Sequence, residues 1–206
     1  NILLKLKLKG ILVESLPNWF EKKFQRIPTK VIDSKFQLLD KIKPIEDNYQ
    51  IRIKRSGDIV VSLILLIATL PLTILISILI YLEDKGPIFY KQKRTGINGS
   101  TIQILKFRSM KIDAEKYGIQ WAQKFDPRIT KTGYIIRALR LDELPQLICV
   151  LKGDMSLIGP RPERPEIEDE KLKNIPYYSS RYIMKPGISG WAQVNYPYGA
   201  SVKDAA

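Results

Sequence analysis

The chain has 206 residues and a net charge of +13, with no histidine and a single cysteine, Cys149. This composition excludes an internal disulfide, a zinc site built from cysteine and histidine, and any nucleophile that depends on a histidine base. Catalysis would therefore rest on carboxylates, lysine, arginine and a metal ion. A basic chain suits nucleic acid or an anionic membrane surface. Because the chain begins with Asn1 rather than Met, we expect it to be a piece of a longer protein.

Residues 1–50 carry no motif with a recognisable chemistry. The strict alternation of leucine and lysine over residues 4–9 predicts a β-strand with one apolar face. Residues 14–24 have the pattern of a short helix, and the charged residues 31–48 are typical of a linker. We therefore expect residues 1–50 to be the tail of a preceding domain followed by a linker.

The dominant feature is an apolar segment, residues 59–82, which runs for 24 residues without a charge. A straight helix of this length rises ~36 Å, enough to cross the hydrocarbon core of a bilayer. Pro71 lies near its middle, however, and basic residues flank both ends, against the positive-inside tendency of a simple span. These features favour a re-entrant helical hairpin over residues 51–82. A continuous span with a tolerated proline kink is the alternative.

The remaining residues, 83–206, are predicted to form a catalytic domain that is truncated at its C-terminus. Two strands, residues 88–94 and 101–107, surround the Gly-Ile-Asn-Gly turn at residues 96–99, which predicts a β-hairpin. The hairpin and the residue after it carry five basic side chains: Lys91, Lys93, Arg94, Lys106 and Arg108. They suit phosphate binding or a solvated basic ribbon, and the pattern does not decide between the two.

Two helical segments follow the hairpin. Residues 111–124 have helical composition, and residues 129–141 predict a basic amphipathic helix suited to the headgroup layer of a membrane. A further helix is expected from about Asp142 to Leu151, because Pro145 is best tolerated in a first helical turn. Asp142 and Glu143 would then lie at a helix start, where capping alone explains paired carboxylates.

A rigid loop, Pro160-Arg161-Pro162, presents one arginine. Such a loop suits a guanidinium that must meet a phosphate or a base, because little conformational freedom is lost on binding. A plain turn is the alternative. Residues 163–173 predict a surface helix, and residues 185–195 predict a Gly-Pro loop that leads into an aromatic stretch.

Six motifs occur in the order found in one family: KRSGDIVVSL, KFRSM, DPRITKTG, LDELPQL, KGDMSLIGPRP and KPGISGWAQVN. From about Ile53 to its end the chain resembles the bacterial sugar transferases, the monotopic phosphoglycosyl transferases. The resemblance implies a mainly helical α+β fold, with a re-entrant membrane hairpin, interfacial amphipathic helices and a small β-hairpin. The family's helix break is often Ser-Pro, whereas this chain has Leu70-Pro71.

The resemblance also implies the reaction. A sugar 1-phosphate would pass from a UDP-sugar to polyprenyl (undecaprenyl) phosphate at the cytoplasmic face of the bacterial inner membrane, with Mg²⁺ as cofactor. Asp142 would be the nucleophile and Glu143 the magnesium ligand, while Arg137 would contact phosphate. The residues expected near the nucleotide or the phosphates are Pro160, Arg161, Pro162 and Lys106.

Two other classes of protein are weighed against this enzyme. A non-catalytic membrane adaptor that binds anionic lipid would have no need of paired carboxylates in a basic surround. A membrane-anchored DNA-binding protein is not supported, because the chain has no recognisable reading helix or base-stacking motif. We therefore expect no nucleic acid partner. Glucose and galactose are both plausible sugars, and a homodimer is a reasonable expectation.

Overall fold

The computed structural model describes residues 2–13, 16–24, 49–114, 116, 126–175 and 177–195. The chain falls into two compact units, residues 1–46 and 47–206. The predicted linker at residues 31–48 lies outside the described residues, as do most of the helix predicted at 111–124 and the chain beyond residue 195.

The first unit contains two described helices, α1 (Ile2–Leu8) and α2 (Leu16–Phe24). The strand predicted over residues 4–9 is wrong, because this segment is helical. Leucine and lysine are both good helix formers, and a helix satisfies its own backbone hydrogen bonds, whereas an isolated strand cannot. In α2, which was predicted, the rings of Phe20 and Phe24 pack with their centroids 4.6 Å apart.

The second unit begins with a broken apolar helix. Helix α3 (Tyr49–Ala68) and helix α4 (Leu70–Asp84) meet at Thr69 with a bend of 60°. Pro71 lies in the first turn of α4, where its missing N–H costs no intrahelical hydrogen bond. The Thr69 hydroxyl donates to the carbonyl of Leu65 (2.7 Å), so a hydroxyl lies at the break although the residue before the proline is leucine.

Neither arm of this pair is by itself long and apolar enough to cross a membrane. Taken together, the two have the length and composition of a broken span or a re-entrant loop. The break near Pro71 is thus confirmed, and which of the two topologies it serves stays a prediction.

The β-hairpin is confirmed. Strands β1 (Phe89–Thr95) and β2 (Thr101–Phe107) pair antiparallel from Phe89–Phe107 to Thr95–Thr101. The connecting turn includes Asn98 and Gly99, whose φ angles of 55° and 73° explain the Asn-Gly pair. Within the part of the chain that the structure describes, four α-helices follow β2: α5 (Lys131–Ala138), α6 (Gln146–Lys152), α7 (Pro165–Asn174) and α8 (Trp191–Asn195). A short parallel pair, β3 (Ser156–Ile158) and β4 (Gly187–Ser189), was not predicted.

Strand β2 lies between two clusters of buried apolar side chains. Phe107 packs with Ile76, Ile80 and Ile136, which joins the hairpin to α4 and α5. Ile104 packs in the second cluster, whose other buried members come from α6 and the turn after it: Cys149, Val150 and Met155. The strand therefore connects the apolar helix pair to the segment that carries the paired carboxylates.

Two helix boundaries differ from prediction. Helix α5 is shorter than residues 129–141, because Arg140 adopts a left-handed conformation with φ 59°. Its N-terminus is capped by Thr130, whose Oγ1 accepts from the amide of Gly133, and by Glu83, which accepts from two further amides. The helix expected from Asp142 begins instead at Gln146, after a 3-10 turn.

Candidate active site

The paired carboxylates lie in a tight turn between α5 and α6. The left-handed Arg140 reverses the chain, and residues Leu141–Glu143 form a single 3-10 turn. Both carboxylate residues are buried, with 9 % of Asp142 and 7 % of Glu143 exposed. The N-cap position of α6 is Pro145, which makes no side-chain cap. Asp142 and Glu143 therefore do not cap this helix, and the capping interpretation is wrong.

One carboxylate oxygen of Glu143 accepts hydrogen bonds from two basic side chains. Its Oε1 accepts from Lys106 Nζ at 2.8 Å and from Arg161 Nη2 at 2.9 Å. Lys106 comes from β2 and Arg161 from the loop before α7, so two distant segments meet on this carboxylate. Burial alone would raise the pKa of Glu143, but the charges and hydrogen bonds of Lys106 and Arg161 lower it to about 2. Glu143 is therefore ionised across the physiological range.

Asp142 has the opposite tendency. Burial raises the pKa of its carboxyl above the usual range, the charge of Lys106 opposes this, the neighbouring Glu143 adds to it, and Arg137 opposes it. A carboxylate with a raised pKa is a better nucleophile when ionised than one held by several hydrogen bonds. The two neighbours are thus electrostatically different groups, because the pKa of one carboxyl is raised and that of the other is lowered.

Lys106 lies at the centre of the cluster, with 15 % of its side chain exposed. Burial lowers its pKa, and the negative charge of Glu143 opposes that effect. Its neighbours in a shallow cavity include Glu143, Gln146 and Arg161. The alternative of a solvated ribbon is therefore wrong for this residue, although Lys91 and Lys93 of the same hairpin are exposed.

The remaining predicted residues lie as follows. Arg137 is in the last turn of α5, half-buried, and its charge acts on Asp142. Pro160 and Pro162 flank Arg161, and the carbonyl of Pro160 accepts from the amide of Gly187 (2.9 Å). Pro71 lies at the helix break rather than in this cluster.

A second set of polar residues, on α3, was missed. Arg55 donates to the carbonyls of Val150 (2.6 Å) and Leu151 (2.8 Å) at the C-terminal end of α6. Asp58 accepts from Ser156 Oγ (2.8 Å) and from the amide of Leu157 (3.3 Å). These contacts hold the first arm of the apolar pair against α6 and β3. The available signal was the polar run KRSGD at the head of an otherwise apolar helix.

The cluster contains carboxylate oxygens of the kind that Mg²⁺ prefers. Among the described residues no group of three or more acidic, histidine or cysteine side chains lies together. Mg²⁺ is commonly held by one or two carboxylates, with the other ligands supplied by water and substrate phosphates. Glu143 fits that donor set, because its carboxylate is a hard oxygen ligand that lines the cavity.

One family profile and several known proteins match this chain. The profile of the family described as bacterial sugar transferase matches residues 49–205. The chain is 48 % identical over 152 residues to the UDP-N-acetylgalactosamine-undecaprenyl-phosphate N-acetylgalactosaminephosphotransferase of Aeromonas hydrophila, covering 74 % of this chain and 36 % of that protein. It is 54 % identical over 129 residues to a putative undecaprenyl-phosphate N-acetylgalactosaminyl 1-phosphate transferase of Bacillus subtilis, covering 63 % of this chain and 72 % of that protein.

A third relative carries a different sugar in its name. The chain is 43 % identical over 141 residues to the UDP-glucose:undecaprenyl-phosphate glucose-1-phosphate transferase of Caulobacter vibrioides, covering 68 % of this chain and 53 % of that protein. The chain therefore spans between about a third and three quarters of the length of these three relatives.

Proposed function

The chain belongs to the bacterial sugar transferase family, and we propose that it transfers a sugar 1-phosphate from a UDP-sugar to polyprenyl (undecaprenyl) phosphate. The products are polyprenyl diphosphate sugar and UMP, and the reaction would be the first membrane step in building an exopolysaccharide, a capsule or an O-antigen. The observation that carries this proposal is the buried Asp142-Glu143 pair, with Lys106 and Arg161 bonded to one of its carboxylates. The names of the relatives support it.

The reaction would proceed in two steps. The Asp142 carboxylate attacks the phosphorus that carries the sugar, an Asp–O–P bond forms, and the bond to the bridging oxygen breaks so that UMP leaves. An oxygen of polyprenyl phosphate then attacks the same phosphorus and releases Asp142. A covalent intermediate suits this chain, because one substrate is soluble and the other lies in the membrane.

The side chains around Asp142 stabilise the charge that develops. Lys106, Arg137 and Arg161 contribute positive charge close to the reacting phosphoryl oxygens, in a buried place where such charge is more effective than in water. Glu143 would hold Mg²⁺, which supplies further electrostatic stabilisation of those oxygens. The same three cations favour entry of the anionic diphosphate.

The apolar helix pair would place this site at the membrane surface. Most apolar side chains of α3 and α4 are exposed, among them Ile64, Ile67 and Leu82 at 59–68 %. Helix α5 also exposes apolar side chains at Tyr134 and Ile135, and Leu139, directly after the helix, is exposed as well. Lipid is the solvent that suits these surfaces. We propose a re-entrant pair on the cytoplasmic side, since basic residues flank both ends of the apolar segment. A homodimer stays a prediction.

The activity is tested by UMP release. Purified protein in detergent with Mg²⁺ should release UMP from one member of a panel of UDP-glucose, UDP-galactose and UDP-N-acetylgalactosamine, and turnover should require polyprenyl phosphate. The panel also identifies the sugar, since the relatives' names include both glucose and N-acetylgalactosamine. Binding to anionic vesicles without UMP release from any donor would instead favour the adaptor.

The topology is tested by labelling. Cysteines placed at Arg52 and at Lys93, in a variant that lacks Cys149, should both react only from the cytoplasmic side. Reaction of one of them from the outside would establish a span and overturn the re-entrant proposal.

A further inference from the structure

The loop that carries Arg161 is held by hydrogen bonds to its backbone carbonyl groups. Pro160 and Pro162 have no backbone N–H, so these two residues cannot donate backbone hydrogen bonds. Four successive carbonyls, those of residues 160–163, each accept a hydrogen bond from a different partner. The donors are the amide of Gly187 (2.9 Å), the Arg181 guanidinium, Arg94 Nη1 (3.0 Å) and the amide of Thr95 (3.0 Å), in that order.

Arg94 extends from β1 to the loop, and its guanidinium is oriented by Gln92. Its Nε and Nη2 both donate to Gln92 Oε1, at 3.0 and 2.6 Å, and this forked contact fixes the plane of the guanidinium. Nη1 then donates to the carbonyl of Pro162 and lies 4.0 Å from a carboxylate oxygen of Glu163. Only 14 % of the Arg94 side chain is exposed, so the contact is protected from water.

Arg181 contacts the same loop from a segment that follows it in the chain, the 3-10 helix Tyr178–Ile183. Its guanidinium lies over the ring of Tyr178, 4.6 Å from the centroid, and also bonds to the Tyr178 hydroxyl. Its Nη2 donates to the carbonyl of Arg161. The Arg181 guanidinium is therefore constrained by the Tyr178 side chain and by the carbonyl of Arg161.

We propose that Arg94 and Arg181 are positioning residues, which clamp the carbonyls of Pro162 and Arg161 so that the Arg161 guanidinium is presented to Glu143 and to the donor diphosphate. The role assigned to Arg161 rests on the proposed function. The physical reason is pre-organisation: an arginine on a fixed backbone loses less freedom when it binds phosphate. A displacement of ~1 Å in a group that orients the reactants can cost about 10²-fold in rate.

The kinetic test compares matched pairs. Arg94→Ala and Arg181→Ala should each reduce kcat/KM for UMP release by about 10²-fold, the cost of misplacing a positioned group. Lys93→Ala removes a charge from the exposed neighbour on β1, and Lys173→Ala removes one from the exposed end of α7. Both controls should retain the wild-type value. Arg94→Lys, which keeps one donor but loses the fork to Gln92, should recover part of the loss.

A double-mutant cycle separates positioning from general damage. If Arg94 acts through Arg161, then Arg94→Ala should cost little further activity in an Arg161→Ala background. A loss in the double variant that equals the product of the two single losses would overturn the proposal, since the two residues would then act independently.

Amide hydrogen exchange gives a readout that does not require activity. A peptide covering residues 157–164 should exchange faster in Arg94→Ala and Arg181→Ala than in wild type, and at the wild-type rate in Lys93→Ala. Unchanged exchange in both arginine variants would overturn the clamp even if activity falls. If the wild type released no UMP from any donor, the proposed function would fail while this measurement still decided the clamp.

Discussion

Asp58 and Glu143 are both buried carboxylates that accept from a lysine and from a residue far away in sequence, but their surroundings differ. Both oxygens of Asp58 are bonded: Oδ2 accepts from Lys54 (3.2 Å) and Ser156, and Oδ1 accepts from the amide of Leu157. Glu143 concentrates two cations on Oε1 and lies beside a second carboxylate. Asp58 joins helix α3 to strand β3, whereas Glu143 brings two cationic side chains together.

The count of charges makes the difference sharper. Lys54 and Asp58 balance each other, whereas three cationic side chains, Lys106, Arg137 and Arg161, act on the two carboxylates of the candidate site. The surplus positive charge suits an anionic substrate. A charge-balanced group such as Asp58 stabilises the fold without attracting an anion. Both carboxylates are buried, so it is the surplus of positive charge, rather than burial, that distinguishes the candidate site from a structural contact.

The largest expected effect comes from Asp142→Asn. This change keeps the shape of the side chain but removes the nucleophilic charge, and turnover should fall on the order of 10³-fold or more, as for other nucleophiles. Wild-type protein given UDP-sugar without acceptor should carry a phosphosugar adduct on the peptide containing Asp142, and the adduct should decay on addition of polyprenyl phosphate. Asp154→Asn, at an exposed carboxylate, is the matched control. Full turnover by Asp142→Asn would remove this residue from the role.

The next effect separates two cations on one helix. Arg137→Ala should reduce kcat/KM by about 10²-fold, because it removes a charge that acts on the reacting centre. Lys131→Ala, at the exposed first residue of α5, should leave turnover in detergent unchanged and weaken attraction to anionic vesicles by ~1 kcal/mol. Equal loss of turnover in the two variants would contradict the assignment of Arg137 to the site.

Asp58→Ala should affect stability rather than chemistry. The change leaves the amide of Leu157 without its acceptor and Ser156 Oγ with the carbonyl of Ile158 alone, which should lower the free energy of unfolding by about 1–3 kcal/mol. Thermal melting in detergent would report this, with Ser56→Ala at an exposed position of α3 as the control. Turnover per folded molecule should be that of wild type. A specific loss of turnover at unchanged melting temperature would mean that this group also serves the reaction.

The smallest expected effect is a displacement of the pH profile. Asp142 must be ionised to attack, so kcat/KM should rise as pH rises through its raised pKa. Lys106 lowers that pKa, and replacing it with a neutral side chain should raise the pKa further. The acidic limb of Lys106→Gln should therefore lie at higher pH than that of Lys106→Arg, which retains the charge. If the acidic limbs of the kcat/KM profiles of the two variants lie at the same pH, then Lys106 does not act on Asp142 electrostatically.

Local structure was largely predictable. The helix break follows from Pro71, and the hairpin follows from two β-rich segments around Asn98 and Gly99. The errors fall where a pattern is compatible with two structures: residues 4–9 alternate as a strand does but consist of helix formers, and α5 ends early at a left-handed Arg140. Such outcomes depend on whether a partner strand or a packed face is present, and a short window of residues does not contain that information.

The sequence by itself determined which groups are available for chemistry, because it contains no histidine and places two carboxylates side by side among motifs that resemble a known family. Only the tertiary structure decided how the two carboxylates differ. Lys106 and Arg161 are 37 and 18 residues from Glu143, yet both bond to the same oxygen. As a result the pKa of Glu143 falls to about 2 while burial raises that of its neighbour Asp142. Adjacent residues share the same burial, and it is the direction from which distant cations approach that makes one of them a fixed anion and leaves the other with a raised pKa.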